Sequence, residues 1–206
     1  NSRERLAIVA GCDFSEIEGR LREGLDRPIE PEFVNTGPVR EIYCEGDDVD
    51  LYSLPVPLFS VLDGGPMITA GVTLSRDPDE DENSAINAGV YRFLVKEKNL
   101  TGIVTPNNLP RYAAKAYEKG EPLPISINIG THPFELICST YKARAGVSEL
   151  GIAGGMRGKG VPLTQCQTID MPCIADAEIV LEAEILPTGW TQPEGRFGEF
   201  TRLMGG

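Results

Sequence analysis

The sequence predicts an α+β fold in which a mixed or antiparallel sheet, able to curl into a barrel, carries helices on its outside. Segments with strand-like alternation outnumber segments with helical periodicity. Two predicted helices, 109–119 and 133–145, each follow a predicted strand. With 41% hydrophobic residues among 206, the chain can bury a substantial core. Helices packed against one sheet are the arrangement that this combination favours.

The first third of the chain is predicted to hold little regular structure. Ser15 and Glu18 have the spacing of a capping box, and the apolar residues that follow repeat every four positions, which predicts a short helix. Residues 40–46 are predicted to form a strand. Residues 51–66 contain three prolines and a pair of glycines, so we expect an irregular, extended segment there.

Strands dominate the prediction from residue 67 onward. The predicted strands are 67–75, 86–95, 100–105, 124–130, 161–169 and 179–186. Proline near the start and glycine after the end delimit two predicted helices, 109–120 and 133–146. The acidic turn 77–82 is expected to be a solvated hairpin tip, with a cation site as the alternative.

Charge and cysteine usage restrict the functional class. A net charge of −12 and a pI of about 4.6 disfavour binding to nucleic acid or to an anionic membrane surface. The apolar runs are too short for a membrane span or a signal peptide. The five cysteines show no CxxC spacing, which predicts reduced thiols in a cytoplasmic protein, with a zinc site or a redox pair as the alternative. Because the chain begins with Asn and not Met, we expect it to be a piece of a longer protein.

Two glutamates are the strongest candidates for proton transfer. Glu194 and Glu199 lie five residues apart in the run PEGRFGEF, on a glycine-rich turn that also contains Arg196. The chain has a single histidine, so protons must be moved by carboxylates, lysines or a cofactor. Glutamates at this spacing are common, and the pair gains weight only together with motifs upstream.

Other candidate positions each have an ordinary structural interpretation. Arg92 is either a functional cation or a surface charge, and it lies on the opposite face from Asn87 unless a bulge at Gly89 changes the alternation. Glu149, between a predicted helix and a small apolar strand, is a cap or a ligand. His132, beside a predicted helix start, is expected to be a capping or surface residue before a ligand or base.

The glycine-rich run AGGMRGKG at 153–160 is predicted to be a loop, with contact to a phosphate as the alternative. It matches neither GxxxxGK[ST] nor GxGxxG.

Six segments together resemble the UbiD-type decarboxylases, in the order found in that family. They are DGGPMITAG (63–71), NxGxxR (87–92), TGIVTPNN (101–108), GTHP (130–133), GVSELGIAGG (146–155) and EGRFGE (194–199). The EGxFGE run and the Asn-to-Arg spacing are the specific parts. The resemblance extends from about residue 8 to the end. It covers the N-terminal and central part of a typical member, without the C-terminal portion that aids oligomerisation and closes the active site.

The resemblance implies a fold, an activity and partners. UbiD-like enzymes reversibly decarboxylate aromatic or α,β-unsaturated carboxylic acids with prenylated FMN, which a separate flavin prenyltransferase makes. Their central domain is a split β-barrel that carries the flavin. We therefore expect an N-terminal helical or extended segment at 1–40 and the flavin-binding barrel at 41–206. The full-length protein is expected to be a homo-oligomer.

The resemblance also implies site residues. In the Glu–Arg–Glu network of the family, Glu199 would be the proton donor, and Arg92 would pair with Glu194. A divalent cation, Mn²⁺ or Mg²⁺ and often accompanied by K⁺, would be held by Asn87 and Glu149; the family's third ligand, a His, is Asn108 here. The remaining residues expected to line the flavin pocket are Thr69, Asn107, Ser139, Thr140 and Tyr141.

Two alternatives to a decarboxylase stay open on the sequence. The first is a truncated, catalytically inactive domain that folds or oligomerises without productive cofactor binding, which the Asn at position 108 favours. The second is an FMN-binding split-barrel reductase. The second ranks last because the sequence shows no nicotinamide site and because it leaves the Glu–Arg–Glu motif unexplained.

Overall fold

The computed structural model describes residues 2–81, 84–104, 108–143, 147–187, 195–198, 201 and 203–205. The helices are α1 (Arg3–Ala10), α2 (Ile17–Asp26), α3 (Leu109–Lys119), α4 (Pro133–Cys138) and α5 (Glu149–Arg157). The strands are β1 (Glu32–Phe33), β2 (Met67–Ser75), β3 (Asn87–Glu97), β4 (Leu100–Val104), β5 (Leu123–Ile129), β6 (Pro162–Gln165), β7 (Pro172–Ile174), β8 (Ile179–Ile185), β9 (Phe197–Gly198) and β10 (Met204–Gly205). Among the described residues, no helix combines the length and apolar character needed to cross a bilayer.

The main sheet has five antiparallel strands in the order β4-β3-β2-β5-β8. A smaller sheet has the order β1-β6-β7, in which β1 runs parallel and β7 antiparallel to β6. The strands β9 and β10 form a separate antiparallel pair. The predicted α+β fold, a curled half-barrel of mostly antiparallel strands with peripheral helices, is confirmed.

A buried asparagine joins the two sheets. The side chain of Asn128 accepts a hydrogen bond from the backbone N–H of Ile174 at 2.7 Å and donates one to the carbonyl of Val72 at 2.9 Å. Asn128 is fully buried, so leaving these groups unpaired would be costly. The amide therefore fixes β7 of the small sheet against β5 and β2 of the main sheet.

The main sheet has a core on each face, and a bulge in β2 decides which face a side chain joins. Val72 packs with α4 and α5 in one core, whereas Ile68 packs with α3 in the other. In a regular strand, residues four apart share a face. The register shifts between Ile68 and Gly71, where β2 contains one extra residue opposite β3. This bulge switches the strand from one core to the other.

Several predicted elements are wrong. Residues 40–46 form no strand; short 3-10 turns occupy Pro38–Arg40 and Gly46–Asp48. The capping interaction before α2 is made by Glu16, whose carboxylate accepts the N–H of Asp13, and not by Ser15 and Glu18. The helix predicted over 133–146 ends at Cys138.

The prediction of a loop at 153–160 is wrong, because residues 153–157 belong to helix α5. Glu149 is the first residue of this helix, so the short apolar strand expected after it is also wrong. The glycines serve packing. A Cβ at Gly154 would lie 2.3 Å from the carbonyl oxygen of Ile29, and one at Gly155 would lie 2.6 Å from that of Arg27. Only glycine allows the 27–29 backbone to approach the helix this closely.

Candidate functional site

The candidate site is organised along one edge of β3. Within the described residues, β4 pairs with β3 only from Arg92 to Glu97, so no strand covers the β3 edge from Asn87 to Tyr91. Asn87 and Arg92 are five residues apart, which corresponds to about 17 Å along a strand. The register with β2 is continuous from Asn87 to Tyr91. The alternative of a bulge at Gly89 is therefore wrong, and alternation keeps Asn87 and Arg92 on opposite faces.

The three residues proposed as metal ligands lie together at the Asn87 end of this edge. The Asn108 side chain donates a hydrogen bond from Nδ2 to Oδ1 of Asn87 at 2.9 Å. Oε2 of Glu149 accepts the backbone N–H of Ala88 at 3.3 Å. Asn87 in turn donates from Nδ2 to Oγ of Ser75 at 3.2 Å. The edge thus brings two amides and one carboxylate into a single cluster.

Helices from both faces of the sheet begin at this cluster. Asn108 precedes α3 on one face, and Ser148 and Glu149 start α5 on the other. Ser148 caps α5, since its Oγ accepts the N–H of Gly151 at 3.4 Å, whereas Asn108 does not cap α3 with its side chain. The N-terminus of a helix carries partial positive charge and favours an anion such as phosphate.

Burial shapes the electrostatics of the cluster. It raises the pKa of Glu149, although the N–H groups of Glu149 itself and of Ala88 oppose the shift. Burial also raises the pKa of Tyr91, and its hydrogen bond with Asn87 partly offsets this. Burial is the main cause that raises the pKa of Cys138 to about 12, and the charges of Glu135 and Glu149 contribute to the same shift. A buried carboxylate with a raised pKa is stabilised in its charged form by a nearby cation.

The other residues expected to contact the flavin lie in several parts of the fold. Ser139 is buried and directly follows Cys138, and its hydroxyl has no hydrogen-bond partner in the part of the chain that the structure describes. Thr140 donates from its hydroxyl to the carbonyl of Ile137 at 2.7 Å, and the Tyr141 side chain is exposed. Thr69 is exposed at the β2 bulge. Asn107 lies outside the described residues.

The opposite end of the edge carries Arg92 and the segment 195–198. The guanidinium carbon of Arg92 lies 3.2 Å from the centroid of the Phe197 ring. The N–H of Gly64 donates to the carbonyl of Arg196 at 2.7 Å, and the N–H of Gly198 donates to Oδ1 of Asp63 at 2.9 Å. Two of the sequence motifs, DGG and EGRFGE, therefore contact each other beside Arg92. Glu194 and Glu199 lie outside the described residues.

Two other candidates have structural roles. His132 caps α4, as expected, because its Nδ1 accepts the N–H of Phe134 at 3.2 Å. In the acidic turn, Asp77 is buried against Lys115, with Nζ 2.7 Å from Oδ1, so this part of the turn is not a solvated tip. No group of three or more His, Cys, Asp or Glu side chains suited to a metal occurs among the described residues.

Sequence reasoning assigned no role to four residues at the site. They are Asp63, Ser75, Tyr91 and Phe197. Asp63, Tyr91 and Phe197 lie inside the motifs DGGPMITAG, NxGxxR and EGRFGE, so their position in those motifs was an available signal. Ser75 lies in none of the motifs, and only the pairing of Ser75 with Asn87 across β2 and β3 reveals it.

Comparison with known proteins places these features in a family context. The UbiD family model, described as the 3-octaprenyl-4-hydroxybenzoate carboxy-lyase Rift-related domain, matches residues 32–206. Anhydromevalonate phosphate decarboxylase of Methanothermobacter thermautotrophicus is 34% identical over 202 residues, which cover 98% of this chain and 46% of the relative. Phenolic acid decarboxylase of Streptomyces sp. (strain D7) is 35% identical over 178 residues, which cover 84% of this chain and 37% of the relative.

Solved structures agree with the sequence comparison. The UbiD-class enzyme HmfF from Pelotomaculum thermopropionicum, in complex with FMN, superposes with a TM-score of 0.88 at 34% identity over 100% of this chain and 46% of that chain. The apo 3,4-dihydroxybenzoic acid decarboxylase from Enterobacter cloacae gives a TM-score of 0.86 at 30% identity over 99% and 45% of the two chains. The chain thus spans less than half of the length of each of these relatives.

Proposed function

The chain belongs to the UbiD family, and from this premise we propose that it is the cofactor-binding part of a reversible decarboxylase. The substrate class is an aromatic or α,β-unsaturated carboxylic acid, and the cofactor is prenylated FMN. An HmfF relative of known structure is in complex with prFMN, and two relatives are named as decarboxylases of phenolic acid and of anhydromevalonate phosphate. The single observation that carries the proposal is the placement of the Asn87 cluster at one end of a β3 edge and of Arg92 at the other.

The residues at the Asn87 end suit the phosphate end of a flavin and a divalent cation. Asn87, Asn108 and Glu149 offer amide and carboxylate oxygens, which are the ligands that Mn²⁺ and Mg²⁺ prefer. The hydroxyl of buried Ser139, which has no hydrogen-bond partner among the described residues, is a polar group that a ligand can satisfy. We propose that these residues hold the cation and the cofactor phosphate, with K⁺ nearby, and that the cofactor extends along the edge toward Arg92. Thr69, Asn107, Thr140 and Tyr141 are proposed to line the rest of the pocket.

At the other end, the chain supplies acid–base chemistry. Prenylated FMN, when bound, supplies the electron sink that loss of CO₂ requires. We propose that Glu199 donates the proton to the substrate carbon and that Arg92 pairs with Glu194. Phe197 holds the Arg92 guanidinium against its ring, which limits the directions in which Arg92 can point. In this proposal the charge of Arg92 would balance the like charges of the two glutamates.

The proposal is tested by producing the protein together with a flavin prenyltransferase and Mn²⁺, followed by native mass spectrometry. We expect a mass increment equal to prenylated FMN plus one divalent ion. Glu149→Ala is expected to lose both, while Glu118→Ala, which changes an exposed glutamate of α3, is expected to retain them. A polypeptide mass without any increment in the unmodified protein would contradict cofactor binding. Release of CO₂ from aryl and acrylic acids then tests the reaction.

Asn108 favours a second candidate function, a domain that folds or oligomerises without productive cofactor binding. The family places a His ligand at this position, and here the Asn108 amide is engaged with Asn87. A folded, metal-free and flavin-free protein with no decarboxylase activity would support this candidate. Oxidation of NAD(P)H by the FMN-loaded protein would instead support a reductase.

A further inference from the structure

We propose that Asp63 is a positioning residue that holds the segment 195–198 beside Arg92 and that it thereby affects proton transfer by Glu199, the next residue in the chain. The two oxygens of its carboxylate accept two backbone N–H groups. Oδ1 accepts that of Gly198 at 2.9 Å, and Oδ2 accepts that of Ser60 at 2.9 Å. The catalytic consequence of this contact rests on the proposed function, whereas the structural contact does not.

Asp63 fixes the turn in which it lies. The N–H of Asp63 donates to the carbonyl of Ser60 at 3.1 Å, while the Asp63 carboxylate accepts the N–H of Ser60. The hydroxyl of Ser60 also accepts the N–H of Leu62 at 3.2 Å. A turn closed from both directions presents the remaining carboxylate oxygen in a defined orientation.

The backbone of this turn and the backbone of the segment 195–198 are in direct contact. A Cβ at Gly64 would lie 3.2 Å from the amide nitrogen of Arg196, and one at Gly195 would lie 3.8 Å from Cα of Gly64. Gly195 also has a φ of 117°, which side chains rarely tolerate. These glycines permit the close approach, and the Asp63 hydrogen bond, assisted by its charge, holds it.

The segment 195–198 links Asp63 to the candidate catalytic residues. The segment is held at the carbonyl of Arg196 by Gly64 and at the amide of Gly198 by Asp63. Phe197, between these two anchors, contacts Arg92. Glu199 follows Gly198 directly in the chain. Because misplacing a catalytic group by about 1 Å can cost roughly 100-fold in rate, loss of the Asp63 anchor should act on the chemical step.

The structural part is tested by amide hydrogen exchange and mass spectrometry of a peptide that spans 195–198. We expect Asp63→Ala to increase exchange there and Asp63→Asn, which keeps one acceptor oxygen, to give a smaller increase. Asp50→Ala is the matched control, because Asp50 also accepts a backbone N–H in a loop, that of Tyr52 at 2.9 Å, without touching the segment. Exchange in Asp63→Ala equal to that in the unmodified protein would overturn the proposal.

The catalytic part is tested with the cofactor-loaded protein. We expect kcat for CO₂ release to fall about 10- to 100-fold in Asp63→Ala, with flavin absorbance and KM little changed, and Asp63→Asn to recover part of the loss. Equal kcat in Asp63→Ala and the unmodified protein would exclude a positioning role in catalysis. If the unmodified protein releases no CO₂ from any acid, the proposed function fails, and the exchange experiment alone decides whether Asp63 holds the segment.

Discussion

Arg92 of the main sheet contacts Phe197 of the EGRFGE motif, with the guanidinium carbon 3.2 Å from the ring centroid. A cation placed over an aromatic face is attracted by about 0.5–2 kcal/mol, depending on its desolvation. Arg92 comes from β3, whereas Phe197 follows about a hundred residues later in the chain. The contact therefore couples the position of the motif to the rigid sheet.

Phe197→Leu should lower kcat about 10-fold or more, because Leu fills similar space without an aromatic face for Arg92. Phe197→Tyr keeps the face and serves as the control, with kcat expected within about threefold of the unmodified protein. Steady-state CO₂ release from the cofactor-loaded protein gives both values. Loss of activity in the Tyr variant equal to that in the Leu variant would show that the ring face is not what matters.

Asn108→Ala should weaken Mn²⁺ binding about 10-fold or more, because it removes one of three proposed oxygen ligands. Asn108→Asp should strengthen binding by adding a negative charge. Burial raises the pKa of Glu149, so affinity for the cation should increase with pH as this carboxyl loses its proton. Calorimetric titration with Mn²⁺ measures all three effects. The control is Asn99→Ala, in the exposed turn between β3 and β4, which should bind Mn²⁺ as tightly as the unmodified protein. If Asn108→Ala also binds Mn²⁺ as tightly as the unmodified protein, Asn108 is not a ligand.

Glu135→Gln should change how stability depends on pH. Burial raises the pKa of Glu135 to about 7, although Arg157 opposes the shift. Between about pH 4.5 and 7, the folded protein therefore keeps a proton on Glu135 that the unfolded chain has released. Protonated Glu135 stabilises the fold at low pH, and this contribution is lost as the pH rises through 7.

In the unmodified protein, this loss lowers the free energy of unfolding by at most roughly 3 kcal/mol. We expect the free energy of unfolding of Glu135→Gln, measured with urea from pH 5 to 8, not to fall in this way. The exposed Glu118 of α3 provides the control, and Glu118→Gln should follow the unmodified protein. Parallel curves for Glu135→Gln and the unmodified protein would contradict the assignment.

Gly154→Ala should destabilise the protein by about 3 kcal/mol, because its Cβ would lie 2.3 Å from the backbone oxygen of Ile29, which cannot move independently. Gly19→Ala in α2 is the opposite case, since no atom lies within 4 Å of its added Cβ. It should gain about 0.5–1 kcal/mol from helix propensity. Urea denaturation of both variants tests whether the two substitutions change the free energy of unfolding in opposite directions. An unchanged free energy of unfolding in Gly154→Ala would show that the backbone near Ile29 moves away from the added Cβ at little cost.

The sequence predicts strands well where alternation and turn residues agree. The segment 67–75 is a strand over its full predicted length. The strand predicted at 40–46 fails because a suitable local pattern does not supply a pairing partner. Helix α5 is missed because its glycines resemble a loop, although contact with residues 27–29 requires them. Such contacts depend on distant parts of the chain and leave no local signal.

The sequence also predicts only part of the candidate site. The cluster of Asn87, Asn108 and Glu149 is anticipated by resemblance to the UbiD family, and the structure brings these residues together at the β3 edge. Their roles as ligands stay a prediction. The hydrogen bond from Gly198 to Asp63 joins residues 135 positions apart. Neither composition nor periodicity can reveal a pairing over that separation.

The bulge at 69–70 separates two stretches of β2 whose alternation is out of phase. Deleting one residue there would leave Ile68 and Val72 three positions apart in a regular strand, so each would still point into its present core. A regular strand of the present length would instead place both side chains on one face, and the apolar side chains on one side of residues 69–70 would compete for the other core or meet water. We therefore expect relatives either to keep the bulge or to lack one residue here, with the flanking side chains on the same faces in both cases.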